Sequence, residues 1–543
     1  MRRRRSTGAR THRRVRPLHL GRPGMARPPR GTAADRHVVR RLRGPRVPGR
    51  ARLPPPWPRR RPAPARDGPH RSGAQPHQRP CLPRRRPADH GGGPARQRRP
   101  VLRPGRRRAR RRHRGRGRAG AAPDRHRPRR RAPLLLEDPP GHRRNRTVTM
   151  PLAHEVAVVG TGVTRFGVLY DRSYLSLLHQ AATDAITDAG VEPGRIEAAW
   201  LGTAEPLLGA LVGDSGAAVT EALGFGPRPV TRVSNFCATG MEAVRGAALA
   251  VAAGEYEVCL AVGAEKMRDV PPRDSLVAKT VEQSHPVLAK GRTAPGQFAL
   301  VAARYLAEYG YGREVLAEVA VKNHANAARN PKAHFRTPIR AEQVLAAPMV
   351  ADPLGLLDCT PTTDGAAAVV IASRRWAERH ARRYALIEGL ALASYAGYYP
   401  ALFRSDNDFL GFQATRDAAA QVYRQAGITD PRSQLDLVEC HDCFTITEIV
   451  NTEDLGLFPP GRGAAELMAG ATRPDGDLPV NVSGGLQSCG HPVGATGVRM
   501  VAEITDQVTG RAGDRQIPGA RRGLAHNLGG PGAVAAITVL GAP

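Results

Sequence analysis

The first 149 residues contain no lysine, isoleucine, phenylalanine or tyrosine. They also hold 25 of the chain's 49 prolines, so they have neither the apolar surface for a core nor the freedom for long helices, and disorder in isolation is expected. Nowhere in the 543 residues is there an apolar run of 18 or more, which argues against a membrane-spanning helix. Cysteine is scarce: Cys81, Cys237, Cys259, Cys359, Cys440, Cys443 and Cys489 are all there are. No apolar secretory stretch follows the N-terminus, so a reducing cytoplasm is the expected compartment. Each cysteine is therefore read as chemistry or core before it is read as half of a disulfide.

Carboxylates are equally scarce in the first segment. Against 48 arginines it has six acidic residues, a balance of +42, whereas everything from Met150 on carries 35 basic and 41 acidic residues, a balance of −6. The formal charge of +36 is thus not the property of one basic domain. Arginine runs at 106–108 and 110–112 fit a nucleic-acid-binding tail. A transit peptide is Arg-rich too, but far shorter and amphipathic. In a third reading, a GC-rich gene translated upstream of its start, or out of frame, yields Arg, Pro, Gly and Ala and loses Lys, Ile, Phe and Tyr. That reading is preferred: the true start is expected at Met150, and nucleic acid is not the expected partner.

The remaining 394 residues suffice for one large or two medium domains. His154–Gly160 is an apolar, β-branched run ending in glycine and reads as a buried strand. Leu175, Leu178, Ala182, Ala185, Ile186 and Ala189 then recur at helical spacing, with Ser173 placed to cap the helix and Gly190 to end it. The chain later echoes itself. Tyr384–Leu392 is again a strand candidate, and the stretch from Ala418 through Gly427 to the strand at Leu435–Val438 repeats the plan of the stretch from Ala181. Two similar α/β halves follow, 150–390 and 391–543, with mostly parallel sheets covered by helices. Residues 270–355, rich in charge and Pro/Gly turns, do not fit the repeat and are expected to form a loop insertion that shapes substrate access.

Cys237 lies between a strand candidate, Val230–Ser234, and a helix expected from about Thr239, whose one face carries Met241, Val244, Ala248 and Val251. At such a turn, backbone N–H groups and the positive helix end favour a thiolate and can hold an oxyanion. Ala238 and Gly240 leave room for a close approach, so this cysteine reads as a nucleophile; Cys259, inside an apolar strand, reads as core. His491 stands among Gly484, Gly485, Gly490, Gly494 and Gly497, just before Pro492 and a helix running towards Gly510. A histidine there suits a general base. Cys440-His441-Asp442-Cys443 follows a strand and precedes an apolar helix. Cys440, Cys443, Cys489 and His491 supply four ligand types for zinc, but one CxxC with one CxH is a weak spacing, and no metal is expected. The glycines after Ala525 make a tight turn into a final buried strand, whose N–H groups can complete an oxyanion site.

NFCATGMEAV, HDCFTITEI, SGGLQSCGHPVGATG and AHNLGGPGAV, in this order and spacing, resemble the thiolases, in particular the subgroup of sterol-carrier-protein-linked thiolases and archaeal acetyl-CoA acetyltransferases. The resemblance spans about His154 to Leu540 and none of residues 1–149. It implies a duplicated five-layered αβαβα fold and a homodimer or homotetramer acting on acyl-CoA and CoA in lipid or acyl-CoA metabolism, with no permanently bound cofactor. By resemblance Cys237 is the acylated nucleophile and His491 takes its proton. His441 stands where most thiolases place an asparagine that organises the oxyanion hole, and the backbone N–H groups of Cys237 and Gly529 form a second hole. Most thiolases carry their acid/base cysteine before the C-terminal glycines, where this chain has His526-Asn527-Leu528; in the HDCF subgroup that cysteine is Cys443. Cys489 departs from the basic residue common before GHP. A small acyl-CoA-channelling partner protein is compatible with the subgroup. The alternatives are a ketoacyl-synthase-like condensing enzyme and a non-catalytic acyl-binding protein of the same fold.

Overall fold

The computed structural model describes residues 155–204, 211–270, 293–395 and 407–543; the Arg/Pro-rich segment 1–149 lies outside them. The first half opens with strand β1 (Val156–Val163) and helix α1 (Tyr174–Ala189). The Ser173 hydroxyl accepts from the Ser176 N–H at 3.1 Å, and Gly190 ends the helix at φ 63°, the cap and stop that the sequence calls for. Leu177, Leu178 and Ile186 are buried on its inner face, each stabilising by about 1.5–3 kcal/mol relative to exposure. Then come β2 (Ala198–Gly202), α2 (Ala217–Leu223), β3 (Val230–Val233), α3 (Thr239–Ala252) and β4 (Val258–Glu265).

Between β4 and the next long strand, β5 (Gly365–Ser373), the expected loop insertion needs correction. In the described part of residues 270–355, the chain forms two well-defined helices, α4 (Ala294–Tyr309) and α5 (Glu314–Ala327). Phe298, Val301, Ala302 and Tyr305 bury the inner face of α4, Thr293 caps its start and Gly310 at φ 71° stops it. The buried face of α5 instead includes Lys322, Asn323 and Asn326. Its first turns bury Val315, Leu316, Val319 and Ala320, but the polar residues interrupt the apolar stripe towards its end and weaken the helical signal in sequence.

The second half comprises β6 (Ala385–Ser394), α6 (Gln413–Ala426), β7 (Leu437–Glu439), α7 (Thr445–Asp454), α8 (Val493–Val508), β8 (Arg522–Gly529) and β9 (Val534–Gly541). Among the described residues nine strands join in the order β3-β2-β4-β5-β1-β6-β9-β8-β7, with β1 and β6 meeting at only two residue pairs, Ala157↔Leu386 and Val158↔Ala385. On the first side of that seam β3, β2 and β4 run parallel, while β5 is antiparallel to both β4 and β1. On the second side Val480 bridges β7 in parallel, β7 is parallel to β8, and β9 is antiparallel to both β8 and β6. The two halves therefore have one topology, a duplication. The sheet is mixed rather than mostly parallel. The short Gly529–Val534 turn can only make a hairpin, and the long α4–α5 excursion lets β5 return antiparallel to β4.

Helix α3 packs on β2, β4 and β5 and also touches β9; α8 packs on α3, on β4 and β5, and on β7, β8 and β9. These two helices form the middle layer, with α1 outside the first sheet half and α6 outside the second. Five layers in αβαβα order result. No helix among the described residues is long and apolar enough to cross a membrane.

Candidate active site

Duplication places Cys237 and His491 in equivalent positions, each just before the N-terminus of a middle-layer helix. Their meeting depends on missing side chains. A Cβ on Gly263 of β4 would stand 2.0 Å from the Gly494 carbonyl oxygen, and one on Gly240 of α3 would stand 2.6 Å from it. Without those atoms the first turn of α8 lies directly on α3 and β4. Glu265, buried at the end of β4, accepts from the Gly494 N–H at 2.8 Å and so ties the start of α8 to the first half.

Phe236 precedes Cys237 with φ 49°, a left-handed conformation rarely adopted by an aromatic residue. Bonds from the Ala238 N–H to Asn235 O (3.1 Å) and from the Thr239 hydroxyl to Phe236 O (2.5 Å) close the turn. Cys237 is half-buried on it. Gly529 ends β8 against this turn, where a Cβ would come within 3.0 Å of Asn235 O.

His491 is buried on a loop in which Gly484, Gly485 and Gly490 have φ of 101°, 58° and 106°. Its Nδ1 lies 2.7 Å from the Thr496 hydroxyl, which donates its only proton to Pro492 O at 3.0 Å. That hydroxyl can only accept from the imidazole, so Nδ1 carries the ring proton and Nε2 presents a lone pair.

His441 follows β7, wholly buried. Its ring stands edge-on to that of His491, with centroids 5.3 Å apart at 85°. One ligand-type atom from each of Cys237, His441 and His491 lies within 4.8 Å of the others. Burial, reinforced by His491, His526 and Arg499, holds the His441 pKa well below the usual imidazole range. Cys443 adjoins the group. Burial, then the Cys237 sulfur and Asp442, push its pKa well above the usual thiol range, so it rests as a thiol.

A buried polar scaffold aligns the two loops. Asp442 accepts from the Leu486 N–H at 2.6 Å and from Asn323 Nδ2 at 2.8 Å. Lys322 pairs with Glu448 at 3.0 Å, both fully buried, and Asn326 and Asn330 donate to the carbonyls of Asn481 and Ser483 at 3.0 and 2.9 Å. Glu439 accepts from Arg499 of α8 at 2.7 Å. Lys322, Asn323 and Asn326 of α5, and Asn330 just past its end, were missed in sequence; asparagines at 323, 326 and 330 recur at i, i+3 and i+7. The zinc alternative is not assembled: Cys440 and Cys489 sulfurs take contacts from Asn481 (3.7 Å) and Asn330 (3.6 Å) instead, and among the described residues only Cys237, His441 and His491 cluster as possible ligands.

His526 sits beneath the site. Its Nδ1 accepts from the His441 N–H at 3.4 Å, its Nε2 lies 3.0 Å from the Thr415 hydroxyl, and burial pushes its pKa down from 6.5 to about 3. Between those values the unfolded chain takes up a proton that the folded chain refuses, so stability falls as the pH drops below 6.5. His526→Asn should remove up to about 1.4 kcal/mol per pH unit of that slope, the value for one proton; thermal unfolding midpoints between pH 4.5 and 7.5 read it, and an unchanged slope refutes it.

The family description "Thiolase, N-terminal domain" matches residues 156–375, and "Thiolase C-terminal domain-like" matches 400–542. The chain is 40% identical over 385 residues to an acetyl-CoA acetyltransferase of Methanothermobacter thermautotrophicus, covering 71% of this chain and 99% of that one. It is 34% identical over 401 residues to human sterol carrier protein 2, covering 70% of each. Among solved structures, an Ltp2-ChsH2(DUF35) aldolase matches at 28% identity and TM-score 0.62, covering 72% of this chain and 98% of that one. Human mitochondrial 3-ketoacyl-CoA thiolase shares the fold at TM-score 0.55 and 18% identity, covering 72% and 99%. Duplicated topology, motif order and both domain matches agree that the chain belongs to the thiolase family.

Proposed function

We propose that this acyltransferase is a 3-oxoacyl-CoA thiolase or acetyl-CoA acetyltransferase, in which Cys237 is the nucleophile, His491 its base, His441 an oxyanion donor and Cys443 the second acid/base. The observation that carries this reading is the meeting of one thiol and two imidazoles within 4.8 Å, at the adjoining starts of α3 and α8. In thiolysis the Cys237 proton passes to His491 Nε2 and the sulfur attacks the 3-keto carbon. The C2–C3 bond breaks, C2 takes the proton of the Cys443 thiol, and acetyl-CoA leaves. An incoming CoA thiol then gives its proton to the Cys443 thiolate and attacks the acyl-Cys237 thioester; the second acyl-CoA departs and Cys237 regains its proton from His491. His441 and the N–H groups of Cys237 and Gly529 face the oxygens that become negative. The direction of flux and the acyl chain length are properties of the cell and of the access route.

Coenzyme A enters as substrate, as befits relatives named for acetyl-CoA. A small partner protein and a homodimer or homotetramer belong to the same proposal; the Ltp2 neighbour was solved with ChsH2(DUF35), which supports the partner. That neighbour is named an aldolase, so carbon–carbon cleavage without an acyl-enzyme is the competing chemistry. Incubation with acetoacetyl-CoA should give a protein mass higher by one acetyl group, lost on adding CoA as acetyl-CoA forms. Cleavage of a 3-hydroxyacyl-CoA with no protein adduct would overturn the reading.

A further inference from the structure

We infer that Asn527 is a positioning residue that sets the proton of His441: its side-chain amide donates to Nδ1, confines the ring's single proton to Nε2, and makes His441 a hydrogen-bond donor instead of a second base. This rests on the thiolase reading of Cys237 and His491 for its consequence, but not for its geometry. Asn527, near the end of β8, is fully buried, and its Nδ2 lies 3.1 Å from His441 Nδ1. The backbone of His441 is already held by His526 and by Asn451 Nδ2, which donates to its carbonyl at 2.8 Å. Its Nδ1 takes its hydrogen bond from Asn527.

The direction of the amide follows from its other end. A Cβ on Gly497 would stand 2.5 Å from Asn527 Oδ1 and 2.2 Å from the Met241 amide nitrogen, so the oxygen faces the first turn of α3, where it is buried and takes no hydrogen bond. N–H groups there have no carbonyl partner within the helix, and the positive helix end draws an oxygen, not an NH2. With Oδ1 so placed, Nδ2 faces the imidazole and Nδ1 must accept. Burial keeps the ring neutral, so Nε2 carries the hydrogen. His491 has the opposite tautomer, since its Nδ1–H is committed to Thr496. Two imidazoles 5.3 Å apart are thereby divided into one donor and one base.

Asn527→Asp tests this in the full-length protein. A carboxylate accepts from Nδ1–H, moves the proton there, and leaves Nε2 with a lone pair. Nitrogen NMR of histidine-labelled protein, with His441→Gln assigning the signal, should show Nδ1 of His441 bare in the wild type and protonated in the variant. At pH 8.5 acetylation of Cys237 by acetyl-CoA should fall about 10²–10³-fold, the usual cost of one oxyanion donor. The ratio of variant to wild-type rate should rise as the pH is lowered, because forming the imidazolium restores a hydrogen to Nε2; a purely structural lesion would leave that ratio flat. Should Asn527→Asp fail to fold, Asn527→Ala should show both tautomers in the same spectrum. A wild-type spectrum with the proton on Nδ1, a flat ratio, or an alanine variant with only the wild-type tautomer overturns the inference. A wild type that acetylates no cysteine overturns the thiolase reading instead, while the spectra still decide the tautomer.

Discussion

Cys237→Ala is expected to lower turnover of acetoacetyl-CoA with CoA by at least about 10⁴-fold and to abolish the acetyl adduct, because among the described residues only the Cys237 thiol clusters with His441 and His491. Cys443 adjoins the site, but burial and the neighbouring Cys237 and Asp442 hold it as a thiol, a proton donor and a poor nucleophile. Cys259, Cys440 and Cys489 are fully buried elsewhere in the core. The Cys237 turn is held by bonds among backbone groups and Thr239, so the variant should fold and melt within a few degrees of the wild type. Rates measured alongside unfolding midpoints check this; residual turnover above about one per cent of wild type in a folded variant would exclude covalent catalysis by Cys237.

Cys443→Ala should cost about 10²–10⁴-fold in steady-state turnover, the range for removing a general acid/base, with a different signature. The nucleophile and its base remain, so one slow turnover still loads Cys237, but no group takes the proton from the incoming CoA. Acyl-enzyme should accumulate and persist in the presence of CoA, visible as a mass increase that wild-type protein discharges. Serine should rescue poorly, since a buried hydroxyl holds its proton far more tightly than a thiol. Rapid discharge of the adduct by CoA in Cys443→Ala would move the acid/base role to another residue.

The local parts of this arrangement are legible in the residues themselves. Ser173 and Gly190 bracket α1 where the side-chain pattern says they should, and Cys237 and His491 fall at turns into helices because apolar periodicity and small residues mark those turns. The Thr293 cap, the spacing of Phe298 to Tyr305 and the Gly310 stop of α4 were equally readable, but the surrounding charge and prolines made the region look like a loop. Helix α5 was opaque for a physical reason: beyond its apolar first turns, Lys322, Asn323 and Asn326 are buried against Glu448, Asp442 and the Asn481 carbonyl, and buried polar residues look exposed in sequence.

Sequence alone determined the inventory of this protein, namely a thiol and an imidazole each at a strand- or loop-to-helix turn, glycines around both, and a repeated α/β plan, because propensity, capping and close-approach glycines act within a few residues. Only the tertiary structure decided that the two turns meet, since the approach of α8 to α3 and β4 through Gly494, Gly240 and Gly263 joins the two halves of the chain. In the proposed mechanism it also divides the two histidines into donor and base. A neutral imidazole has one proton and two nitrogens, and the side chains placed at Nδ1 of each ring, Asn527 for His441 and Thr496 for His491, are partners that only packing can bring there.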